Sequence, residues 1–305
     1  MKVIQSFWTK PFIHPASTSF ESRFQGGFNE DKQFIYTWAL SLLSIKEYFP
    51  SVHLVTDTPG EKAWIEFFEF PYDSYSTGLD EIEDMPSDFW GAGKLQTYAS
   101  TNDPFVHFDV DVILGKEFNI SIVENNLIAE FQYDDSLLKR YELIVQKLVS
   151  SKVVMSTEIL ETIRQPYFSY SDYNLGITGG RDVEFMNNYA KKALADLRKN
   201  IAYASKNDKI QCSFLNCFFE QFYFYIEATN QSKKVDKLIE KTILVDVDYQ
   251  KQKIASGIKH LDFVHLHGGY KRLYPNLSEK WLSELYPDFY RHLQKKLAYI
   301  ESRSL

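Results

Sequence analysis

The sequence predicts an α/β fold in which a mostly parallel central sheet is flanked by helices. A short apolar run, Val3 to Phe7, is typical of a buried first strand. Apolar residues then recur at helical spacing and mark one buried helix face, which comprises Phe34, Trp38, Leu42, Ile45 and Phe49. A second apolar run, Val52 to Val55, follows. Because alternating strands and helices favour a parallel sheet, we expect a ligand site beyond the carboxyl ends of the strands.

Short apolar runs and apolar residues at helical spacing likewise predict the strands and helices that follow along the chain. Helices are expected at Glu61 to Phe68, Gly91 to Ser100, Ser136 to Ser150, Asp182 to Lys199, Ile210 to Ala228 and Ser278 to about Ile300. Strands are expected at Phe105 to Phe108, Leu127 to Phe131, Tyr173 to Thr178, Ile243 to Val247 and Phe263 to Leu266. The long loop from Thr9 to Asn29 is rich in Ser, Pro and Gly, and loops of that length in compact enzymes are usually functional.

The composition indicates an ordinary globular protein. The 305 residues are 44% hydrophobic and 25% charged, which argues against a disordered, fibrous or membrane-embedded chain. We interpret residues 1–275 as one catalytic domain and residues 276–305 as a C-terminal helix that packs on it. The net charge of -7 provides no broad positive field for nucleic acid, whereas a small phosphorylated ligand needs a few local cations or a divalent metal.

Cysteine usage and the N-terminus predict a cytoplasmic protein. Cys212 and Cys217 lie in an apolar aromatic stretch, at a spacing typical of neither a metal knuckle nor a disulfide framework. Met1 to Ser6 leads into no apolar signal segment, and no stretch approaches the roughly 20 apolar residues of a membrane span. The amphipathic C-terminal segment around Trp281 is expected to pack on the catalytic domain, with peripheral contact to a membrane or a partner as the alternative.

The first motif with chemical meaning is an Asp-x-Asp in an apolar setting. Asp109 and Asp111 interrupt the apolar segment Phe105 to Leu114, and burying two carboxylates is costly unless something pairs with them. Since side chains alternate along a strand, both acids would project to one side. There they can hold one hard divalent cation, which in turn binds a diphosphate. The alternative is a capping acid beside a solvated charge.

A second motif lies far downstream. The apolar run Phe263 to Leu266 carries His265 and leads, through His267 and two glycines, to Lys271. An imidazole, a closely approaching glycine backbone and a nearby cation together suit a metal-bound phosphate. Read alone, the segment is equally consistent with a buried histidine followed by a glycine turn.

Together, the two motifs resemble those of the retaining GT-A glycosyltransferases of the glycogenin and lipopolysaccharide-galactosyltransferase type, of which this chain looks like a distant bacterial branch. In that family an Asp-x-Asp and a late His-x-x-Gly-x-x-Lys hold a manganese ion and the donor diphosphate. His265, Gly268 and Lys271 match the late motif in register. The resemblance implies a GT-A, Rossmann-like fold and a Mn²⁺ or Mg²⁺ site whose ligands are Asp109, Asp111 and His265.

A further lysine completes the implied diphosphate site. Lys94 lies on the predicted helix before the Asp-x-Asp, where enzymes of this type carry a lysine near the donor. The resemblance therefore implies that the donor is bound by Lys94, Asp109, Gly268 and Lys271. If the register of the late motif slips, His267 takes the place of His265 as metal ligand.

Two polar segments correspond to the sugar pocket of the family. The segment that contains Asp172 and Asn174 resembles its Asn-x-Gly strand, and a turn or bulge at Asn174 is the alternative. Glu220 and Gln221 interrupt an aromatic helical run, where related enzymes carry an Asp-Gln pair that faces the sugar or the acceptor. A position on the helix surface is the alternative for this pair. We expect all four to be catalytic-site residues, with Asn174 and Glu220 orienting the donor sugar or the acceptor.

The beginning of the chain departs from the family. Related enzymes place a Thr-Asp pair after the first strand, whereas this chain continues from Ser6 through Trp8 to Lys10. Trp8 either stacks on a nucleotide base or fills the core, and a core position is the favoured interpretation.

The sequence thus predicts a metal-dependent glycosyltransferase of hexosyltransferase type. It would move a sugar from a nucleotide-diphosphate donor, such as a UDP-sugar, to a cell-surface glycan or glycolipid, as in polysaccharide biosynthesis. The resemblance implies that the anomeric configuration is retained. An inverting enzyme would need a carboxylate base, for which Asp172 and Glu220 are the candidates. Two other classes stay open: a metal-dependent nucleotidyl- or phosphodiester-transfer enzyme, and a non-catalytic carbohydrate-binding protein with a degenerate GT-A fold.

Overall fold

A computed structural model describes residues 1–13, 24–133, 135–151, 153–166, 168–204, 214–239, 254, 257–268 and 270–303. Its strands are β1 (Lys2–Phe7), β2 (Val52–Thr56), β3 (Ser74–Ser76), β4 (Phe105–Phe108), β5 (Val112–Leu114), β6 (Ile128–Gln132), β7 (Tyr173–Gly180), β8 (Asp236–Lys237) and β9 (Phe263–His265). Seven of them form one sheet in the order β3-β2-β1-β4-β7-β6-β8, and β5 pairs with β9 in a separate two-stranded sheet.

The large sheet is mostly parallel, as the sequence predicted. β1 pairs in parallel with β2 and β4, β2 with β3, and β6 with β8. β7 runs antiparallel to both of its neighbours, β4 and β6. The predicted α/β architecture is therefore confirmed, although the sequence did not predict the small β5–β9 sheet.

Helices flank the sheet on both sides. The α-helices are α1 (Lys10–Ile13), α2 (Asp31–Lys46), α3 (Thr58–Gly60), α4 (Ala92–Ser100), α5 (Asp135–Ser150), α6 (Thr157–Ile163), α7 (Val183–Lys199), α8 (Ile201–Ala204), α9 (Tyr223–Asn230), α10 (Tyr270–Leu273), α11 (Leu277–Leu285) and α12 (Pro287–Glu301). Shorter helical turns lie at Phe24–Gly27, Gly78–Ile82, Ile120–Glu124 and Ile258–His260, and π-helical turns at Glu61–Phe67 and Phe218–Phe222. None of the helices among the described residues is long and apolar enough to cross a membrane.

Two apolar cores lie on opposite faces of the large sheet. Consecutive residues of β1 belong to different cores: Ile4 packs with Leu95 of α4, whereas Val3 packs with Trp38 of α2. This division follows from the alternation of side chains along a strand. Because both faces are covered, the central strands are mostly apolar, and an acid at a strand end stands out against them.

The C-terminal segment differs from its prediction. In place of one helix from Ser278 to Ile300, the structure has α11 and α12, which are separated at Tyr286. Pro287 begins α12, where its missing amide hydrogen is tolerated, and it cannot continue the preceding helix. Both helices contact α2, and the Thr37 hydroxyl donates to the Ser278 hydroxyl over 2.7 Å.

Some sequence predictions lie partly or wholly outside the described residues. The strand predicted at 243–247, the first residues of the helix predicted at 210–228, and Cys212 are among them. The described part of that helix comprises the Phe218–Phe222 turn and α9. Cys217 is half-buried.

Candidate metal and diphosphate site

Asp109 and Asp111 lie in the turn between β4 and β5, which corrects the prediction that they share one strand. β4 ends at Phe108 and β5 begins at Val112 in the other sheet. The Val112 amide donates to the Asp109 carbonyl over 3.0 Å and closes the turn. The strand is interrupted because the backbone crosses here from one sheet to the other, and Asp is well suited to such turns.

His265 reaches the same turn through the small sheet. β9 pairs antiparallel to β5, with His265 opposite Val112. The Leu266 amide donates to the Asp111 carbonyl over 3.0 Å and extends this pairing into the turn. The two motifs, which are far apart in the sequence, are therefore joined by backbone hydrogen bonds as well as by their side chains.

The side chains of Asp109, Asp111 and His265 form one cluster. His265 Nε2 lies 3.3 Å from Asp111 Oδ1 and 3.9 Å from Asp109 Oδ2. One ligand atom from each residue lies within 4.8 Å of the others, a separation that suits a single metal ion. The structure thus brings together the three residues that the sequence proposed as metal ligands.

Glu130 holds the other side of the imidazole, a role that the sequence reasoning missed. Its Oε2 lies 2.7 Å from His265 Nδ1, and the carboxylate is fully buried on β6. Gly176 on β7 leaves room for this contact, because a Cβ there would lie 2.3 Å from His265 Cε1. Glu130 could have been noticed in the sequence, because it is the one acid in the apolar run from Leu127 to Phe131. The sequence alone gives no indication that its partner is His265.

Two lysines contact the acids of the cluster. Lys271 Nζ lies 2.6 Å from Asp111 Oδ2. Lys94 Nζ lies 3.0 Å from Asp109 Oδ1, donates to the Leu175 carbonyl over 3.0 Å, and also forms an ion pair with the buried Glu220. Both lysines therefore place a positive charge directly against the proposed metal ligands.

The electrostatic environment shifts the pKa of each proposed ligand. Burial lowers the pKa of His265, but the Glu130 and Asp111 carboxylates outweigh burial and raise this pKa to about 10. Burial would raise the pKa of Asp111, yet Lys271 and His265 hold it well below its usual value. For Asp109, burial prevails over the attraction of Lys94 and raises the pKa. The imidazolium and the two lysines therefore supply the positive charge that pairs with these acids.

Asn174 lies in an irregular part of β7, in agreement with the bulge that the sequence left as an alternative. The pairs Ala129–Thr178 and Phe131–Asn174 leave Glu130 opposite three β7 residues. The Asn174 side chain accepts a hydrogen bond from the Gly176 amide over 2.9 Å and stabilises the bulge. On its other edge, β7 continues its regular pairing with β4 by one residue: the Asp109 amide donates to the Gly176 carbonyl over 2.8 Å.

The other predicted sugar-pocket residues differ in their relation to the cluster. Glu220 is 1% exposed and contacts Lys94, so the helix-surface alternative is wrong for this residue. Gln221, the next residue of the same π-helical turn, is half-buried. Asp172 is fully buried just before β7, and its backbone carbonyl accepts from the Tyr133 amide over 3.1 Å.

Gly268 and His267 lie in the connection from β9 to α10. Gly268 has φ of +53°, in the left-handed region that favours glycine, and a Cβ there would meet nothing within 4 Å. The backbone conformation therefore favours glycine here, at the point where the chain turns toward Lys271. Burial and the neighbouring His265 lower the pKa of His267 to about 3, and its ring lies edge-on to that of Tyr270.

A cleft of about 110 Å³ opens beside the cluster. Its lining includes Lys94, both aspartates and Lys271, together with Trp8. Trp8 is 6% exposed and belongs to the apolar core, so the core interpretation is confirmed, although one side of the ring borders the cleft. The cleft lies beyond the carboxyl ends of β1 and β4, where an α/β sheet is expected to bind its ligand.

Asp57 ties the ends of β1 and β2 together beside this cleft. It accepts hydrogen bonds from the Thr9 amide and hydroxyl over 3.1 and 2.6 Å, and from the Gly60 amide over 3.0 Å. No Thr-Asp pair follows β1 directly in the sequence, which is the departure from the family noted above. In the structure a Thr and an Asp do meet there, but the Asp comes from the end of β2.

Comparison with known proteins places the chain in a family. A family model described as a family of unknown function (DUF6734) matches residues 1–296. The chain belongs to this family. No curated protein matches the chain.

The fold is similar to several solved glycosyltransferase structures. The apo form of mouse xyloside xylosyltransferase 1 shares 11% identity at a TM-score of 0.38, over 87% of this chain and 96% of that chain. The galactosyltransferase LgtC, in complex with donor and acceptor sugar analogs, shares 10% identity at a TM-score of 0.33, over 72% and 70% of the two chains. Core-mannan synthase A from Aspergillus fumigatus, in its Mn/GDP form, shares 7% identity at a TM-score of 0.32, over 71% and 68%.

Proposed function

We propose that the chain is a metal-dependent glycosyltransferase of the GT-A type, which moves a sugar from a nucleotide-diphosphate donor to an acceptor. The observation that carries the proposal is the meeting of Asp109, Asp111 and His265 at the carboxyl edge of the sheet. Two lysines and a cleft adjoin this cluster. Metal ligands, cations and a cleft at one edge are what the binding of a diphosphate requires.

The donor set fits a divalent cation such as Mn²⁺ or Mg²⁺. Two carboxylates and one imidazole suit Mn²⁺ well, and the hydrogen bond from Nδ1 to Glu130 directs Nε2 toward both aspartates. Asp109, Asp111, Glu130 and Glu220 oppose Lys94 and Lys271, which leaves two negative charges when the imidazole is neutral. A divalent cation balances this excess, and its binding would release the imidazole proton.

The remaining residues would then bind and orient the substrates. Lys94 and Lys271 would contact the diphosphate oxygens, since both border the cleft. A bound metal ion would supply charge stabilisation for the departing diphosphate. Gly268 would let the backbone carry Lys271 to the site, and Asn174 would maintain the bulge of β7 opposite Glu130.

We propose that the sugar and the acceptor bind on the side of Glu220, Gln221 and Asp172. Glu220 supports this assignment because it is buried, pairs with Lys94 and thus borders the cluster. UDP as the nucleotide, retention of configuration, a cell-surface glycan or glycolipid as acceptor, and a cytoplasmic location complete the proposal. NMR analysis of the product anomer would test retention. Inversion of configuration would instead indicate that Glu220 or Asp172 acts as the catalytic base.

A thermal-shift screen tests the proposal. Nucleotide diphosphates and nucleotide sugars, including UDP and GDP forms, are added with and without Mn²⁺, because a ligand that binds the folded state raises the melting temperature. We expect stabilisation by one nucleotide class that requires Mn²⁺, followed by slow hydrolysis of the matching nucleotide sugar. Asp111→Asn should abolish the Mn²⁺-dependent shift, whereas Asp103→Asn, at an exposed position before β4, should retain it.

The same measurements separate the other function classes. Metal-dependent cleavage of a phosphodiester, without use of a nucleotide sugar, would indicate a nucleotidyl- or phosphodiester-transfer enzyme. Binding of a glycan with no response to nucleotide or metal would indicate a carbohydrate-binding protein. Full turnover of a nucleotide sugar by Asp111→Asn would refute the assigned metal site.

A further inference from the structure

Lys271 is a buried lysine whose ammonium group lies on one of the proposed metal ligands. Its Nζ is 2.6 Å from Asp111 Oδ2 and donates to the Gly26 carbonyl over 2.8 Å. The Phe28 ring lies 5.4 Å from the same nitrogen. The ammonium group is thus held by the protein in the position where it neutralises Asp111.

Both oxygens of Asp111 are engaged in this arrangement. Oδ1 faces His265 Nε2 at 3.3 Å, and Oδ2 faces Lys271. A divalent cation that binds Asp111 therefore meets a positive charge already present, in a buried setting where charge repulsion is screened less than in water. Lys271 and a metal ion compete for the same carboxylate.

Lys94 is placed differently with respect to its own aspartate. It contacts Asp109 but also pairs with Glu220 and donates to the Leu175 carbonyl. When a cation binds Asp109, Lys94 therefore still has an ion pair with Glu220. A cation on Asp111, in contrast, would compete directly with Lys271 for the carboxylate oxygen that the Lys271 ammonium group contacts.

We propose that Lys271 is a built-in counter-ion that opposes binding of a divalent cation alone and favours its binding together with a diphosphate. The inference rests on the proposed function, because it assumes that Asp111 binds a metal. Lys271 and Asp111 line the same cleft, so a diphosphate there offers the ammonium group new anionic oxygens when the cation takes Asp111. Cation and diphosphate then bind cooperatively, and a cation without nucleotide is disfavoured.

Binding of Mn²⁺, measured by the loss of its solution EPR signal, tests this role. Affinity is measured with and without UDP for the wild type, Lys271→Met and Lys192→Met. Lys192 is the control, because it bridges Glu158 and Glu227 in another ion-pair network. Lys271→Met should bind Mn²⁺ alone about tenfold more tightly, and the enhancement by UDP should fall by about the same factor, as for coupled sites. Lys192→Met should match the wild type.

The outcomes distinguish the inference from the proposed function. If the wild type binds Mn²⁺ with UDP but Lys271→Met binds Mn²⁺ alone no better than the wild type, the counter-ion role is overturned and the proposed function stands. If the wild type binds no Mn²⁺ with or without UDP, both are overturned. Lys271→Gln repeats the test in case the Met variant does not fold, and Lys271→Arg, which keeps the charge, should retain weak binding of Mn²⁺ alone.

Discussion

Gly176→Ala should disrupt the candidate metal site, because the added methyl group would clash with the His265 ring and the Glu130 carboxylate. An ideal Cβ at this position would lie 2.3 Å from His265 Cε1 and 2.5 Å from both His265 Nδ1 and Glu130 Oε2. The backbone of Gly176 does not have a positive φ, so Ala is compatible with its conformation and the clash is the whole effect. The imidazole would have to move by about 1 Å to restore ordinary contact distances of roughly 3.5 Å.

The magnitude follows from how little room the imidazole has. Asp111 lies 3.3 Å away on its other side, and Glu130 is fully buried. Overpacking of such a site costs about 1–3 kcal/mol. For a chain of 305 residues, 2 kcal/mol corresponds to about 3 °C in melting temperature, given roughly 2.1 cal/mol/K of unfolding entropy per residue. Displacement of the ligand should also weaken Mn²⁺ binding about 10–100-fold.

Calorimetric unfolding and Mn²⁺ titration in the presence of UDP measure the two effects. Gly78→Ala is the matched control, because a Cβ there meets Val55 Cγ1 at an ordinary 3.8 Å. A Gly176→Ala protein with wild-type melting temperature and wild-type Mn²⁺ affinity would refute the close approach of His265 to β7. A lower melting temperature with unchanged Mn²⁺ affinity would keep the packing argument and refute His265 as a ligand.

Three further changes have defined expected outcomes. Glu130→Gln removes the charge that orients the imidazole, so Mn²⁺ affinity with UDP, measured by isothermal titration, should fall about 10–100-fold. Asp57→Ala leaves the Thr9 amide and hydroxyl without their acceptor, which should lower the free energy of unfolding in urea by about 1–3 kcal/mol. Burial lowers the pKa of His53 to about 4, so as the pH falls from 6.5 to 4 the unfolded state takes up a proton first and stability declines. His53→Gln should flatten this decline in melting temperature.

Each of these changes has a control at an exposed position of the same residue type. Glu124→Gln, Asp103→Ala and His260→Gln should each leave the corresponding measurement unchanged. Equal losses in a variant and its control would show that the assigned contact is not the cause. A His53→Gln protein with the same acid profile as the wild type would assign the decline to other groups.

Local patterns predicted five of the seven strands of the large sheet, because burial on two faces makes those strands mostly apolar. They did not predict β3 and β8, which are short and contain no apolar run. Local patterns also failed where the end of a strand depends on pairing with a segment that is distant in the sequence. The Asp-x-Asp segment was predicted as one strand because Val112 to Leu114 are as apolar as Phe105 to Phe108, yet Val112 pairs with His265 in a different sheet. The break between α11 and α12 at Tyr286, in contrast, could have been predicted from Pro287 in the sequence, because proline does not continue a helix.

Sequence alone determined which residues could carry chemistry here: two acids in an apolar run, a late histidine, and lysines near each. Their spacing along the chain says nothing about the distances between them in space. Tertiary structure decided that His265 lies against Asp111, that Glu130 holds the opposite ring nitrogen, and that Lys271 occupies the second oxygen of Asp111. These contacts join residues more than 100 positions apart, so they depend on how the two cores pack the sheets together, which local periodicity does not encode.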